Sequence, residues 1–544
     1  MVLRNWLFGL AVTLGGGVLA QADVPPAPGL PDANGPRIDG DVPPSDDATT
    51  SENIGEFDEA GGIDASNSTS GTSAPVGNDY AAQAAPAPPA SPTVQPWKGL
   101  FFDNDFSYKS RPGAPDFLGA ELKDVPLFTC CEEDWTISIG GEIRHRYHDE
   151  RNRLVPGGPG LSSYNLQRWR QYVDLKASDM FRVYFEGIDA SQFGEELPPT
   201  AIDVNRWDIQ NAFVDLKIGS YDDQPIWFRY GRQELLYGSQ RLISPLDYAN
   251  TRRNFEGFKA FTKLGDWKID AFTVRPVNAA TGHGTVQQFD NAPDSPDQSR
   301  TFQSVYATYN GLQKTTMDFY WMWLNEDDEM ARPARFPDGN RHLIGMRLAG
   351  SQDMGPGAWS WDNEGGYQFG DDEFGEDVQA GFGTGTLNYT FTEMPWTPKF
   401  TGLFWYGSGD ADPNDNKNNT FVPYFPLGHA YWGLIDNLGG PNLVDYSLQA
   451  SIKPHRKVNL LFAYHWFDLA SDNDVLYNVA QVPLGRPVGQ SEIGQEFDIL
   501  LNYVYNPNLA IQLQYAEFYY GQYVDTVLPR DDARQFFVQT SLRY

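Results

Sequence analysis

Apolar and polar side chains alternate with a period of two in many short segments between Trp135 and the last residue. The segment that organises the chain runs from Trp227 to Leu246 and reads WFRYGRQELLYGSQRLISPL. At its start, Phe228 alternates with Arg229 in the pattern of a β-strand that has one apolar and one polar face. A Gly-containing passage follows, and then a second arginine, Arg241.

An arginine in the middle of a strand, opposite a face of aromatic rings, has to reach water or an anion. Burial of Arg229 without a partner would cost several kcal/mol. We therefore predict that the aromatic face meets lipid and that the arginine face lines a water-filled barrel.

The same design recurs along the chain. In the segment from Trp135 to Tyr147, isoleucines share one face, and Glu142, Arg144 and Arg146 share the other. In the segment from Leu166 to Lys176, Trp169 lies opposite Arg168 and Arg170. Apolar faces are also predicted at Phe319, Trp321 and Trp323, at Ile344, Met346 and Leu348, at Val458, Leu460, Phe462, Tyr464 and Trp466, and at Phe497, Ile499, Leu501 and Tyr503. We expect about eighteen strands of this kind.

The connections between these segments alternate between short and long. Gly265-Asp266 and Pro454-His455 are short, whereas the stretches from Pro276 to Arg300 and from Gly407 to Asn442 are long. Outer-membrane barrels have short periplasmic turns and long outer loops, so this alternation predicts a large transmembrane antiparallel β-barrel of the all-β class. A soluble β-sandwich has no reason to keep the alternation over so many strands.

The two ends of the chain agree with export to the outer membrane. Residues 1–22 read as a signal peptide, with Arg4 before an apolar run and Ala20-Gln21-Ala22 at the cleavage site. No later apolar run approaches the roughly 18 residues that a spanning helix needs, so a membrane span has to be built from strands. The last segment, from Arg534 to Tyr544, ends on an aromatic residue, as bacterial barrel proteins do for the barrel-assembly machinery.

The region before the barrel divides into two parts. Residues 23–96 are rich in Pro, Ala and acidic residues and cannot bury enough apolar surface to fold, so we predict a disordered periplasmic linker. Residues 97–134 form a pre-barrel segment, and residues 135–544 form the barrel. The only two cysteines, Cys130 and Cys131, are adjacent; we interpret them as structural thiols near the barrel entrance, with a lipid or redox role as the alternative.

The amino-acid composition argues against one class of function and favours a membrane-embedded protein. A net charge of -32 argues against a nucleic-acid partner. Aromatic residues make up 14% of the chain, while the mean hydropathy is only -0.48. That combination is typical of a transmembrane barrel, since half of each strand faces water. The expected surroundings are outer-membrane lipid.

A barrel of about eighteen strands is expected to leave an aqueous channel rather than a packed core. Fixed positive charge in such a pore attracts anions and excludes cations. The alternative is that carboxylates at Glu142, Asp174, Glu186 and Asp215 pair with the arginines and brace the wall. The pore-lining candidates are the arginines inside strands together with Arg241: Arg144, Arg146, Arg168, Arg170, Arg182, Arg229, Arg241 and Arg347.

The barrel region resembles the alginate-export outer-membrane porins. The resemblance is carried by Gly231-Arg232-Gln233-Glu234-Leu235, by Tyr237-Gly238-Ser239-Gln240-Arg241-Leu242, and by Asn250-Thr251-Arg252-Arg253-Asn254-Phe255-Glu256-Gly257. A second block contains Gly407-Ser408-Gly409-Asp410-Ala411-Asp412-Pro413, Asn419-Thr420-Phe421 and Tyr424-Phe425-Pro426-Leu427-Gly428-His429.

This resemblance implies a monomeric barrel whose electropositive constriction passes an anionic polyuronate such as alginate. It also implies that Arg232 and Arg229 contact the solute in the pore. Strict alternation from Phe228 places Arg232 on the outward face, so its role requires a β-bulge or the end of the strand at that point.

Other chemistry has weaker support. Asp410, Asp412 and Asp415 are oxygen ligands at a spacing that suits Ca²⁺, although the turn glycine and terminal glutamate of an EF-hand loop are missing. His465 and Asp468 fall on opposite faces of a strand, and no GxSxG motif is present, which disfavours a barrel hydrolase. We expect no catalytic residue and no cofactor.

Three functions follow from the sequence. The first is a passive outer-membrane channel for an anionic polysaccharide, an oligosaccharide or a small anionic solute. The second is an anchoring barrel with a plugged lumen, whose linker binds a periplasmic partner. The third is a barrel hydrolase that uses His465.

Overall fold

The computed structural model describes residues 97–106, 109, 117–130, 133–154, 160–177, 179–194, 199–200, 202–277, 294–326, 339–372 and 375–544. The predicted signal peptide (1–22) and linker (23–96) lie outside these residues, as do the side chains of Cys130 and Cys131. Among the described residues, no helix is long and apolar enough to cross a membrane.

Eighteen antiparallel strands close into a barrel. The ring closes where its first strand, Glu133–Arg151, pairs with its last, Ala533–Arg543, with Ile143 opposite Leu542 and Tyr147 opposite Val538. The barrel strands are β2 Glu133–Arg151, β3 Leu161–Ala177, β4 Phe181–Phe193, β5 Asn205–Tyr221, β6 Gln224–Gln233, β7 Asn254–Leu264, β8 Trp267–Val277, β9 Arg300–Leu312, β10 Thr315–Glu326, β11 Gly339–Met354, β12 Gly357–Asp372, β13 Asp377–Thr390, β14 Lys399–Gly407, β16 Leu443–His455, β17 Val458–Leu469, β20 Glu492–Asn506, β21 Leu509–Tyr520 and β22 Ala533–Arg543.

Four short strands lie outside this ring: β1 Val125–Cys130, β15 Lys417–Asn418, β18 Leu476–Tyr477 and β19 Pro483–Leu484. β1 pairs with the start of β2, where Val125 lies opposite Ile137. Further along β2, Gly141 exchanges backbone hydrogen bonds of 2.9 and 3.0 Å with the chain's last residue, Tyr544. The edge of β2 that faces β22 is therefore paired along its length: β1 pairs with its beginning, and Tyr544 and β22 pair with the rest.

The two faces of the strands differ as the alternation predicts. Outward side chains are apolar and accessible, with Trp169 40% and Leu448 64% exposed. The two inward neighbours of Trp169 on the same strand, Arg168 and Arg170, are at most 1% exposed. The predicted fold, an antiparallel barrel with an apolar outer face, is confirmed.

The connections also keep the predicted alternation. Residues 222–223, 265–266, 313–314, 355–356 and 456–457 form tight turns at one end, which is the periplasmic end of an outer-membrane barrel. Long connections, among them 234–253, 408–442 and 470–491, lie at the other end.

Two of the long connections fold back into the barrel. We call residues 234–253 the first inward loop and residues 408–442 the second inward loop. They join inside the lumen, where the amide of Phe425 donates to the carbonyl of Leu242 and the amide of Ser244 donates to the carbonyl of Phe425, both at 2.9 Å.

The largest apolar cluster therefore lies in the lumen, because the inward loops pack their side chains against the inner wall. Phe421, Trp432 and Ile435 of the second inward loop are at most 1% exposed. Burial on this scale stabilises the loops by roughly 1.5–3 kcal/mol for each large side chain. In this conformation the two inward loops fill much of the lumen, where an open aqueous channel was expected.

Candidate functional site

A ladder of ion pairs follows the inner wall from β2 to β6. Period-two alternation places every second side chain inward, so arginines and carboxylates on neighbouring strands meet across the sheet. The four carboxylates named in the sequence each hold an arginine: Glu142 with Arg168 at 2.6 Å, Glu186 with Arg170 at 2.6 Å, Asp174 with Arg182 at 2.7 Å and Asp215 with Arg229 at 2.6 Å.

The ladder continues on β10 to β12. Asp362 accepts hydrogen bonds from Arg347 at 2.8 Å and from Arg241 of the first inward loop at 3.0 Å. Arg347 also pairs with Asp318 at 2.9 Å, and Arg241 pairs with Glu364 at 3.1 Å. Arg241 thus ties the loop to the wall, and it lies in the lumen although it is not on a strand.

Three arginines converge on one carboxylate, that of Asp247 in the first inward loop. Arg168 reaches its Oδ1 at 2.7 Å, Arg170 lies at 4.0 Å, and Arg252 is in direct contact. Asp247 and all three arginines are at most 5% exposed. We call this group the Asp247 cradle. Guanidinium groups favour carboxylates because their fork of N–H donors matches the two carboxylate oxygens.

Backbone carbonyls complete the cradle. Arg144 donates to the carbonyl oxygens of Asp247 and Ala249, both at 2.9 Å, and Arg168 donates to the same two at 3.1 and 3.0 Å. Arg146 donates to the carbonyl of Tyr248 at 3.2 Å. The stretch from Asp247 to Ala249 therefore presents negative atoms to the arginines along its length.

Arg253 is a cation that the sequence-based candidate set left out. Its guanidinium donates to the carbonyls of Ser244 at 3.2 Å and Pro426 at 3.3 Å, which belong to the two inward loops. It lies 5.6 Å from the ring centre of Phe425. Asp247, Arg252 and Arg253 are the residues that sequence reasoning missed as a site, although the adjacent Arg252-Arg253 pair after an acidic loop residue was a visible signal.

Arg232 occupies a different place from the other candidates. Its strand shows no register irregularity at Gly231–Gln233 against either neighbour, so the alternation places Arg232 on the side of Tyr230. Tyr230 is exposed, whereas Arg232 is buried and pairs with Asp208 and Glu256, each at 3.4 Å. The pore-lining role of Arg232 stays a prediction.

The segment before the barrel also enters the lumen, at the periplasmic end. The ring of Phe101 lies 4.1 Å from the guanidinium of Arg170, and the ring of Phe102 lies 4.6 Å from that of Arg229. The carbonyl of Phe102 accepts a 2.6 Å hydrogen bond from Arg182. Cation–π contacts of this kind contribute roughly 0.5–2 kcal/mol each. We call residues 97–106 the N-terminal segment. It covers the ion pairs of the ladder that lie nearest the periplasmic end of the barrel.

The opposite side of the lumen has a different character. A cavity of about 60 Å³ lies between the wall formed by β13 to β20 and residues 429–434 of the second inward loop. Its polar lining is mostly amides and hydroxyls, and the titratable side chains that line it are Arg241, Lys399, His429, His465 and Asp498. The neutral polar side chains include Asn388, Thr401, Gln449, Asn459 and Asn502.

The predicted calcium candidates do not assemble into a site. Asp412 accepts from the amide of Asn414 at 3.2 Å, and Asp415 pairs with Lys417 at 3.0 Å, as expected of a solvated turn. Within the described ranges, no three His, Cys, Asp or Glu side chains are placed to share a metal ion. Asp410, Asp412 and Asp415 are therefore not supported as ligands.

His465 has partners that the sequence did not indicate. Its Nδ1 lies 2.9 Å from Asp445, and the Oγ of Ser447 lies 3.3 Å from its Nε2. Asp468 is on the other face, as predicted. His465 lines the cavity, whereas Ser447 and Asp445 are buried in the wall and are not among its lining residues. This hydrogen-bonded chain braces β16 against β17.

Comparison with known proteins decides the family. The alginate export family model matches residues 135–538. The chain belongs to the alginate export family. This match covers the whole barrel except its last residues, and it identifies the protein as an outer-membrane barrel.

Solved structures agree with this fold for the alginate-export barrel. OccK8 (OprE) of Pseudomonas aeruginosa superimposes with a TM-score of 0.51 at 14% identity, over 75% of this chain and 98% of that one. OpdO of the same organism gives 0.51 at 12% identity, over 75% and 97%. The outer membrane protein opdK gives 0.51 at 12% identity, over 75% and 98%. A search of curated proteins finds no match.

Proposed function

We propose that this alginate-export family barrel is a passive outer-membrane channel for anionic solutes, and that its cargo is an anionic polysaccharide or oligosaccharide such as alginate. The solute carboxylates bind the inward arginines as they pass. We propose that the protein acts as a monomer, since a barrel closed by β2 and β22 of one chain needs no strand from a second copy.

The observation that carries this proposal is the Asp247 cradle. A carboxylate held by Arg168, Arg170 and Arg252 has the chemistry that a uronate carboxylate would bring. The ladder arginines each hold a wall carboxylate, whereas Asp247 belongs to a loop that entered the lumen from the far end. Arg168 and Arg170 are on the wall and stay in place when the loop withdraws with Arg252, so they suit a mobile anion in the position of Asp247.

The packed lumen requires a movement for transport. The first inward loop is tied to the wall at three charged points: Asp247, Arg241 and Glu234, whose carboxylate lies 3.6 Å from Arg170. Because ion pairs exchange with a competing carboxylate more readily than an apolar core repacks, we place the movement at the charged side of the loop.

Planar-bilayer recording of the full chain tests this function. Under a KCl gradient we expect discrete openings whose reversal potential favours chloride, and concentration-dependent block by a uronate hexamer. Openings that favour potassium, or no effect of the hexamer, would contradict the proposal.

A second function, an anchoring barrel with a plugged lumen, is favoured by the packing of the two inward loops and the N-terminal segment inside the barrel. Folded protein that gives no current under any gradient would support this candidate instead of the channel.

A further inference from the structure

The two halves of the inner wall present different chemistry to the lumen. From β2 to β12 the inward polar groups are dominated by the ion pairs described above. From β13 to β20 the polar groups that line the cavity are mostly amides and hydroxyls, with Lys399, His465 and Asp498 among them. We call the inward side chains of Asn388, Thr401, Gln449, Asn459 and Asn502 the amide wall; each is on a different strand, and all line the cavity.

One group of the amide wall lacks a partner within the protein. The Oδ1 of Asn459 is buried, with the residue 7% exposed, and accepts no hydrogen bond from the described residues. A buried carbonyl oxygen left in this state costs roughly 1–3 kcal/mol. It faces the cavity, so a donor located there would satisfy it.

The neighbouring groups are only partly engaged. Gln449 makes one amide contact, a 3.3 Å hydrogen bond to the hydroxyl of Ser447. Asn502 accepts a 2.8 Å hydrogen bond from Gln512 at its Oδ1. An amide has two donor hydrogens and a carbonyl acceptor, so both side chains keep capacity for a further ligand.

The wall is long enough to follow a chain molecule. On β14, Lys399 and Leu403 both line the cavity, a separation of four residues, or roughly 13 Å of strand. The cavity of about 60 Å³ is too small for a sugar chain while residues 429–434 cover the wall. The inference therefore requires a second movement, that of residues 429–434, in addition to the release of the first inward loop.

We infer that the amide wall is a binding path for the hydroxyl groups of a polyhydroxylated solute, that is, for the sugar units of the transported chain. Vicinal hydroxyls donate and accept together, as amide groups do, and they carry no charge. The path therefore recognises a sugar by its hydroxyls, in addition to the carboxylates that the arginines bind. This inference rests on the proposed channel function.

The test compares three probes on the full chain in planar bilayers: an uncharged glucose hexamer, a uronate hexamer, and a dicarboxylate without hydroxyl groups. The variant is the triple substitution Gln449→Met, Asn459→Leu and Asn502→Leu, which keeps side-chain volume nearly constant. We expect block by both hexamers to weaken at least about tenfold. Block by the dicarboxylate should stay as in the wild type.

Asn363→Leu is the matched control, because Asn363 carries an amide on the outward face of β12. It should leave all three affinities unchanged. Unchanged hexamer block in the folded triple variant would overturn the inference. If the triple variant does not fold, Asn459→Leu alone is compared with the wild type, with at least about a threefold loss of glucose-hexamer block expected and no loss overturning the inference.

The experiments distinguish failure of the channel function from failure of the amide-wall inference. If the wild type conducts but the amide-wall variants behave as the wild type, only this inference is lost. If the wild type gives no current, the channel function is lost, and calorimetric titration of the detergent-solubilised protein with the glucose hexamer tests the wall directly. Equal affinity of the wild type and the Asn459→Leu variant would overturn the inference in that case.

Discussion

Arg168 and Asp247 are in direct contact, with 2.7 Å between Nη2 and Oδ1, although 79 positions separate them in the chain. Arg168 is on a barrel strand, and Asp247 is on a loop that begins at the outer end of the barrel. The contact therefore links the wall to the segment that fills the lumen. It gives the first inward loop a charged attachment that a solute carboxylate can compete for.

Asp247→Asn should release this attachment. The substitution keeps the shape of the side chain and removes the charge that Arg168, Arg170 and Arg252 share. We expect the loop to leave the lumen more often, so that conductance rises and the reversal potential shifts further toward chloride in planar bilayers.

The control for that change is Asp215→Asn, which frees Arg229 on the wall without touching the loop. It removes one charge of the same kind, and it should leave the frequency of openings unchanged. If both variants open the channel equally, general charge rather than loop release is the cause, and the attachment role of Asp247 is wrong.

The ladder should matter for stability more than for transport. Removal of one partner of a buried pair leaves an uncompensated charge and costs about 3–5 kcal/mol. Arg229→Gln and Asp215→Asn should each lower the free energy of unfolding in urea by about this amount. The double variant should be less damaged than the sum of the two. Additive losses in this double-mutant cycle would argue against the pair.

The N-terminal segment should restrict the periplasmic mouth. Phe101→Ala with Phe102→Ala removes the rings beside Arg170 and Arg229, so residues 97–106 should lose their hold on the ladder. Hydrogen exchange of these residues should accelerate, and conductance should increase. Leu118→Ala, at a side chain that is 56% exposed, is the control and should change neither quantity.

Asp203 provides a pH test outside the membrane-spanning strands. Burial raises the pKa of this carboxyl to about 6, because the charged form is poorly solvated there. The folded state then binds a proton more tightly than the unfolded state, so the stability that it contributes is complete below about pH 4 and is lost as the pH rises through about 6.

The affected region is the outer loop that Asp203 joins to the first inward loop through a 2.9 Å hydrogen bond from Asn250 to its carbonyl. The protection factors of the amides of residues 202–204, which correct for the base-catalysed intrinsic rate, should be higher at pH 5 than at pH 7.5. Asp203→Asn should reduce this difference. A variant that retains the full pH difference would assign it to another group.

The wall could be predicted from the sequence because its rules are local. Period-two alternation fixes the side that each residue faces, and neighbouring strands are neighbours in sequence. Arg229 and Asp215 are an example: two alternating segments joined by a two-residue turn bring them together. The same rule places Arg232 on the side of Tyr230, whereas the family resemblance suggested the pore.

The contents of the lumen could not be predicted in this way. The fold of the first inward loop depends on contacts such as that between Asp247 and Arg168, which no periodicity encodes. Phe101 and Phe102 precede the barrel in sequence, and nothing in their spacing indicates that they meet Arg170 and Arg229. The long stretch from Gly407 to Asn442 reads as an outer loop, yet most of it is buried by packing with distant strands.

The central claim is that Asp247 occupies the position of a solute carboxylate, and calorimetric titration of a uronate hexamer into the wild type and the Asp247→Asn variant tests it most directly. The account predicts tighter binding to the variant, because the internal competitor has been removed, and no change for an uncharged glucose hexamer. Equal or weaker binding of the uronate hexamer to the folded variant would contradict it.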